Sequence, residues 1–168
     1  MVKMLKALES DAEKLLEIQQ KAFIVYSQKY GDFDSNPYHM DLHRMQFNIK
    51  YRYGQYYKLL DSNDDKIIGG LFCFELDQKE ILKIAQFYLL EPYQHLGYGT
   101  YVLNKLFELN PQVKNWYVDT IMQEEYNVEF YKHLGFEVID EEEEHEGLSF
   151  VTLLKKIDIG DRRGSNNW

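Results

Sequence analysis

The chain changes rhythm at a pair of glycines, and that change constrains its fold more than any other feature. Ile81-Leu82-Lys83-Ile84-Ala85-Gln86-Phe87-Tyr88-Leu89-Leu90 is an apolar run of strand character. Gln94-His95-Leu96-Gly97-Tyr98-Gly99 follows it. Tyr101, Val102, Leu103, Leu106, Phe107 and Leu109 then fall at helical spacing, which predicts a helix to about Asn110, stopped by Pro111. A strand, a glycine-bearing turn and a helix start make a device for holding an anion. Glycine lets the backbone take a left-handed conformation and come close to a ligand. The first amides of a helix lack internal acceptors, and the helix dipole favours negative charge there. The spacing is not that of the P-loop, since neither Lys-Ser nor Lys-Thr follows. Nor is it the dinucleotide fingerprint, because Val102 stands where the third glycine belongs. Taken alone, the turn reads equally as a tight strand-to-helix connection.

The rest of the chain supplies the elements around it. Residues 2–8 read as a strand. Ser10 and Glu13 have capping-box spacing ahead of a helix through Leu15, Leu16, Ile18, Ala22, Phe23 and Val25 to about Tyr30. Residues 31–37 read as a loop and residues 38–50 as a second helix. Strands are predicted at 56–61, 66–76 and 80–90, joined as hairpins and therefore antiparallel. A strand from Trp116 to Met122 precedes a helix over 126–134, closed by Gly135 as its C-cap. Residues 135–140 and 148–157 form a last strand pair, with the acidic run Asp140–Glu146 between them as a solvated connector or strand end, or as a rim for a cation. The reading is one domain over residues 1–157 and a frayed tail over 158–168.

Composition removes several classes. With 168 residues, 45% hydrophobic, the chain is long enough for a substantial core. A formal charge of −9 without a basic patch argues against nucleic acid as a partner. Cys73, the single cysteine, sits in an apolar run and reads as a core thiol, which suits a reducing cytoplasm. No stretch has the length of a membrane span, and the first residues lack the apolar core of a secretion signal, so a cytoplasmic protein is expected.

The whole pattern resembles the GNAT superfamily of N-acetyltransferases. The resemblance rests on Gln94, Gly97 and Gly99 in the glycine turn, on Leu89-Leu90-Glu91-Pro92 ahead of it, and on Asn127 through Tyr131 to Gly135-Phe136. Asn127 stands closer to Tyr131 than is usual in the family. The resemblance covers about residues 1–157 and implies an α/β (α+β) fold. Its central sheet would be mixed and mostly antiparallel, with a splayed strand pair and about four flanking helices.

It also implies acetyl-CoA as co-substrate and no metal. Backbone from Phe87, Tyr88, Leu89 and Leu90 would meet the pantetheine arm. The amides of Gln94, His95, Leu96, Gly97, Tyr98, Gly99 and Thr100 would meet the pyrophosphate. Side chains of Gln94, His95 and Tyr98 are expected to face solvent. Asn127, Phe130 and Tyr131 would complete the cofactor site. Tyr131 matches the family's general acid: a phenol is protonated at neutral pH and can donate to a leaving thiolate.

The family's base position falls near Ile84, which takes no proton. Period two puts Glu80, Ile84, Gln86 and Tyr88 on one strand face, so Glu80, Gln86 and, from the next strand, Asp119 are the candidates, with bulk water as the alternative. Acceptor contacts are expected from Tyr26, Tyr30, Phe33 and Tyr38 in the first two helices and their loop. His39 and His43 are four apart, without the intervening Glu of the zincin pattern. The expected reaction is acetyl transfer to a primary amine of a small molecule or peptide by direct attack in a ternary complex; a homodimer is an admissible assembly. A non-catalytic acyl-CoA sensor on the same fold is the other reading, and an N-terminal or lysine protein acetyltransferase a third.

Overall fold

The structure is a computed structural model that describes residues 1–158. Residues 159–168, nearly all of the expected tail, lie outside the described residues. The described residues form seven strands, β1 (Val2–Lys6), β2 (Gly54–Asp61), β3 (Ile67–Leu76), β4 (Gln78–Leu89), β5 (Asn115–Ile121), β6 (Glu137–His145) and β7 (Leu148–Lys156), and four α-helices. The helices are α1 (Ala12–Tyr30), α2 (Leu42–Lys50), α3 (Tyr98–Leu109) and α4 (Glu125–His133). The strands are hydrogen-bonded in the order β1-β2-β3-β4-β5-β7-β6. The β1–β2, β2–β3, β5–β7 and β6–β7 ladders are antiparallel, and β4 and β5 run parallel. The mixed, mostly antiparallel sheet with four helices is the expected fold class. The β4–β5 ladder runs only from Ile81↔Asn115 to Ile84↔Val118, although both strands continue further.

The chain packs as two compact units that divide within β4. One comprises Met1–Phe74 with Ala85–Leu106; the other comprises Glu75–Ile84 with the chain from Phe107 onward. In the first unit, Ala12 and Leu15 of α1, Met45 of α2, Tyr56 of β2 and Phe72 of β3 form a buried cluster. Burying each of the larger side chains among these is worth about 1.5–3 kcal/mol, so the helices' apolar stripes and not their propensities hold them on these strands. In the second unit Phe107 packs on Trp116 and Phe136, with ring centroids 5.2 and 6.3 Å away.

Three local expectations are corrected. Ser10 does not cap the first helix. The chain makes a 3-10 turn at Glu9–Asp11, and Asp11 reaches back to accept from the Leu8 amide at 2.8 Å while pairing with Lys58 at 3.0 Å. A carboxylate with a cation to face holds that position better than a serine hydroxyl. The helix expected over 38–50 is divided. Pro37–His39 is a 3-10 turn, Met40 and Asp41 are extended, and Asp41 caps α2 by accepting from the Arg44 amide at 2.8 Å. His39 and His43 therefore do not share a helix, and His39 instead lies 3.4 Å from Asp32. The acidic run is strand, not connector: β6 continues to His145 and the turn is Glu146-Gly147. β6 is an edge strand exposed along its whole length, where like charges discourage pairing with another chain.

Candidate active site

The glycine turn opens α3 as an anion cradle requires. Gly97 has φ +83° and its carbonyl accepts the first intrahelical bond, from Tyr101 at 3.1 Å. It is thus the N-cap, a position that usually carries a side-chain acceptor and here carries none. The amides of Tyr98, Gly99 and Thr100 precede that bond and have no acceptor within the helix. An ideal Cβ on Gly97 meets no protein atom within 4 Å, so its packing does not require glycine; its backbone conformation does. His95 is also left-handed, at φ +60°. Alternation of such residues with ordinary ones turns successive N–H groups toward one side, the geometry of an anion nest. The chain therefore fits a pyrophosphate here by its own geometry.

The side chains of the turn are more engaged than the sequence suggests. Gln94 is exposed, yet its Nε2 donates to the Leu89 carbonyl at 2.8 Å. The Leu90 amide of that same planar peptide donates to Ile68 of β3 at 2.9 Å, so the Leu89 carbonyl points to the opposite side. Gln94 thereby ties the end of β4 to the turn. The Tyr98 ring stacks on Tyr93 at 6.5 Å, and its hydroxyl accepts from the Met1 amino group at 3.1 Å.

Tyr88 is the deepest of the β4 residues named for the cofactor. Its hydroxyl lies 2.6 Å from that of Tyr56, and its ring meets Phe23 of α1 at 5.8 Å; Phe23 in turn meets Tyr26 at 5.9 Å. Burial pushes both phenols above their ordinary range, and Tyr88 further so because Tyr56 stands beside it. Ala85 also packs toward the α1–α2 cluster, three residues from Tyr88. Gln86 Oε1 is buried without a hydrogen-bond partner.

The remaining candidates take varied positions. Phe33 is buried, Tyr26 and Tyr38 are half-buried, and Tyr38 sits edge-on to His39 at 5.4 Å. The Tyr30 hydroxyl is buried. In the second unit, Glu80 is half-buried and its carbonyl accepts from the Lys114 amide at 2.8 Å. Both carboxylate oxygens of Asp119 are engaged, by Lys83 Nζ at 2.7 Å and Thr152 Oγ1 at 2.7 Å. Tyr131 is buried, its ring 5.1 Å from Phe130 and 5.5 Å from Phe136. Asn127 lies in the first turn of α4 and donates its amide to Glu124 at 3.0 Å. The link from Tyr88 to Tyr56 is not foreseen in the sequence. Its one local signal is Gly69-Gly70 inside an apolar strand, which marks close approach by something else.

Fold and turn together fit an acyltransferase, and a family comparison agrees. The model of the GNAT acetyltransferase family matches residues 12–136, and the chain belongs to that family. No curated protein sequence matches it. Among solved structures, it is similar to the ribosomal-protein-S18-alanine N-acetyltransferase of Escherichia coli, with a TM-score of 0.74 and 14% identity over 94% of this chain and 95% of that one. The PaiA N-acetyltransferase of Thermoplasma acidophilum, in complex with coenzyme A, gives a TM-score of 0.72 and 16% identity over 94% and 99%. NAA60 of Arabidopsis thaliana, in complex with a bisubstrate analogue, gives 0.70 and 12% over 94% and 99%. At these identities the likeness is one of fold. Among the described residues, no helix is long and apolar enough to cross a membrane.

Proposed function

We propose that this chain moves the acetyl group of acetyl-CoA to a primary amine of a small molecule or peptide, by direct attack in a ternary complex, with Tyr131 as general acid. The observation that carries the reading is the start of α3: three helix amides without internal acceptors, behind a left-handed glycine N-cap that has no side chain to fill the position. Those amides hold the pyrophosphate, and the backbone of Phe87 to Leu90, at and just past the end of β4, lies along the pantetheine arm. When bound, acetyl-CoA supplies a thioester whose carbonyl accepts the amine. The new C–N bond forms as the C–S bond breaks, the Tyr131 hydroxyl donates its proton to the departing sulfur, and the attacking nitrogen loses its own. Asp119 is already paired with Lys83 and Thr152, which favours water as the acceptor of that last proton. The Escherichia coli neighbour, by its name, acetylates an alanine of a ribosomal protein, so the fold admits a polypeptide amine.

The test is calorimetric titration with acetyl-CoA of the native chain and of Gly97→Leu. The added side chain meets no protein atom at its Cβ, and its backbone strain is about 1–2 kcal/mol, which leaves the fold intact. Binding is expected in the native chain and is lost in the variant. Undiminished affinity in Gly97→Leu would sink the cradle.

A further inference from the structure

We infer that the hydroxyls of Tyr88 and Tyr56, with the Gln19 amide, form a positioning chain that ties the acceptor loop, residues 31–41, to the cofactor-binding segment of β4. This rests on the proposed function, which places acetyl-CoA along that segment. The links are direct. Tyr88 and Tyr56 share a hydrogen bond of 2.6 Å, and Tyr56 donates to Gln19 Oε1 at 3.4 Å. From the other end of the same amide, Gln19 Nε2 donates to the Pro37 carbonyl at 3.0 Å and to Met40 Sδ at 3.4 Å. Both partners belong to the segment between α1 and α2.

The Tyr56–Gln19 bond sets the polarity of the chain, since Gln19 Oε1 can only accept. Tyr56 gives its proton to Gln19, so the Tyr88 hydroxyl donates to Tyr56, and both amide groups of Gln19 are used. Gln19 is fully buried, as Asn36 nearly is; Asn36, itself in the loop, ties it to α1 by donating to Ser27 Oγ at 2.9 Å and accepts from the Tyr38 amide at 3.1 Å. Every other loop residue from Gly31 to Ser35 except Phe33 is exposed. The loop's fixed points are therefore few, and two of them end on buried amides.

Both phenols are held neutral by their burial, so the chain carries no charge and works by placement. A ligand that pins the backbone at Tyr88 also fixes the Tyr88 hydroxyl. The hydrogen bonds then lower the cost of ordering the loop that receives the amine. This makes Tyr88, Tyr56 and Gln19 positioning residues for the acceptor, although none of them need touch it.

Hydrogen–deuterium exchange of the full chain, with and without saturating acetyl-CoA, tests this. Acetyl-CoA is expected to slow exchange over residues 31–41 in the native chain by about fivefold, the factor one hydrogen bond of ordinary net strength supplies. Tyr56→Phe removes one oxygen from the middle of the chain and is expected to abolish that protection while acetyl-CoA still binds. Gln19→Met, which cuts the far end at similar volume, gives the same result by an independent route. Protection that survives in both variants overturns the inference, as does binding by the native chain without protection of the loop. If the native chain does not bind acetyl-CoA at all, the proposed function fails and takes this inference with it.

Discussion

Gly70→Ala is the sharpest perturbation the structure offers. A Cβ at Gly70 would lie 2.6 Å from Tyr88 Cζ and 3.0 Å from Cε1, and closer still to the hydroxyl oxygen. The backbone there is not left-handed, so the whole cost is collision. Overpacking of this kind costs about 1–3 kcal/mol. The ring relieves it by swinging off Tyr56, which leaves buried hydroxyls unpaired at about 1–3 kcal/mol. Loss of the glycine's freedom in the unfolded chain returns about 0.4–1 kcal/mol. The net is near 3 kcal/mol, and with about 2–4 °C per kcal/mol for a chain of this size the melting temperature falls by about 6–12 °C. Scanning calorimetry reads it. The double variant Gly70→Ala/Tyr88→Ala isolates the cause: without the ring, adding the Cβ costs nothing relative to Tyr88→Ala alone. A melting temperature for Gly70→Ala equal to or above the native value would refute the reasoning, and so would an unchanged penalty in the Tyr88→Ala background.

Tyr131→Phe is expected to lower turnover by about a hundredfold or more, the range for loss of a general acid, with acetyl-CoA affinity kept; unchanged turnover removes Tyr131 from the chemistry. Stability is expected to fall at high pH. Burial pushes the Cys73 thiol from 9.0 up to about 12, and it raises Tyr56 and Tyr88 as well. A raised folded-state value means that the neutral form is the one the fold prefers, so the contribution is whole below the unfolded value and is lost as pH climbs through the folded one. Denaturant midpoints should hold to about pH 9 and decline toward pH 12, less steeply in Cys73→Ala; an equal decline in that variant would exclude the thiol as a cause.

Much of this architecture is visible in the sequence because the relevant forces are local. Periodicity places α1, α3, α4 and the strands, since an apolar stripe has to face a core. Gly97 and Gly135 are legible as turn and cap because both need a left-handed backbone, at φ +83° and +95°. Where two local signals compete, the sequence misleads. Ser10 has the spacing of a cap, but Asp11, paired with Lys58 far along the chain, takes the Leu8 amide and the chain makes a 3-10 turn there instead. The acidic run reads as loop by composition, yet a β7 partner with bonds to offer makes it strand.

The sequence by itself determined where a glycine-capped helix start lies and which strand leads into it, because both follow from backbone preferences of neighbouring residues. Only the tertiary structure decided what the side chains around it do. Asp119 meets Lys83 and Thr152 through the register of β5 with β4 and β7. Tyr88 meets Tyr56 and, through it, Gln19, because Gly70 leaves room for its ring. Hydrogen bonds between residues so far apart in the chain depend on packing and register, and no window of local sequence contains either.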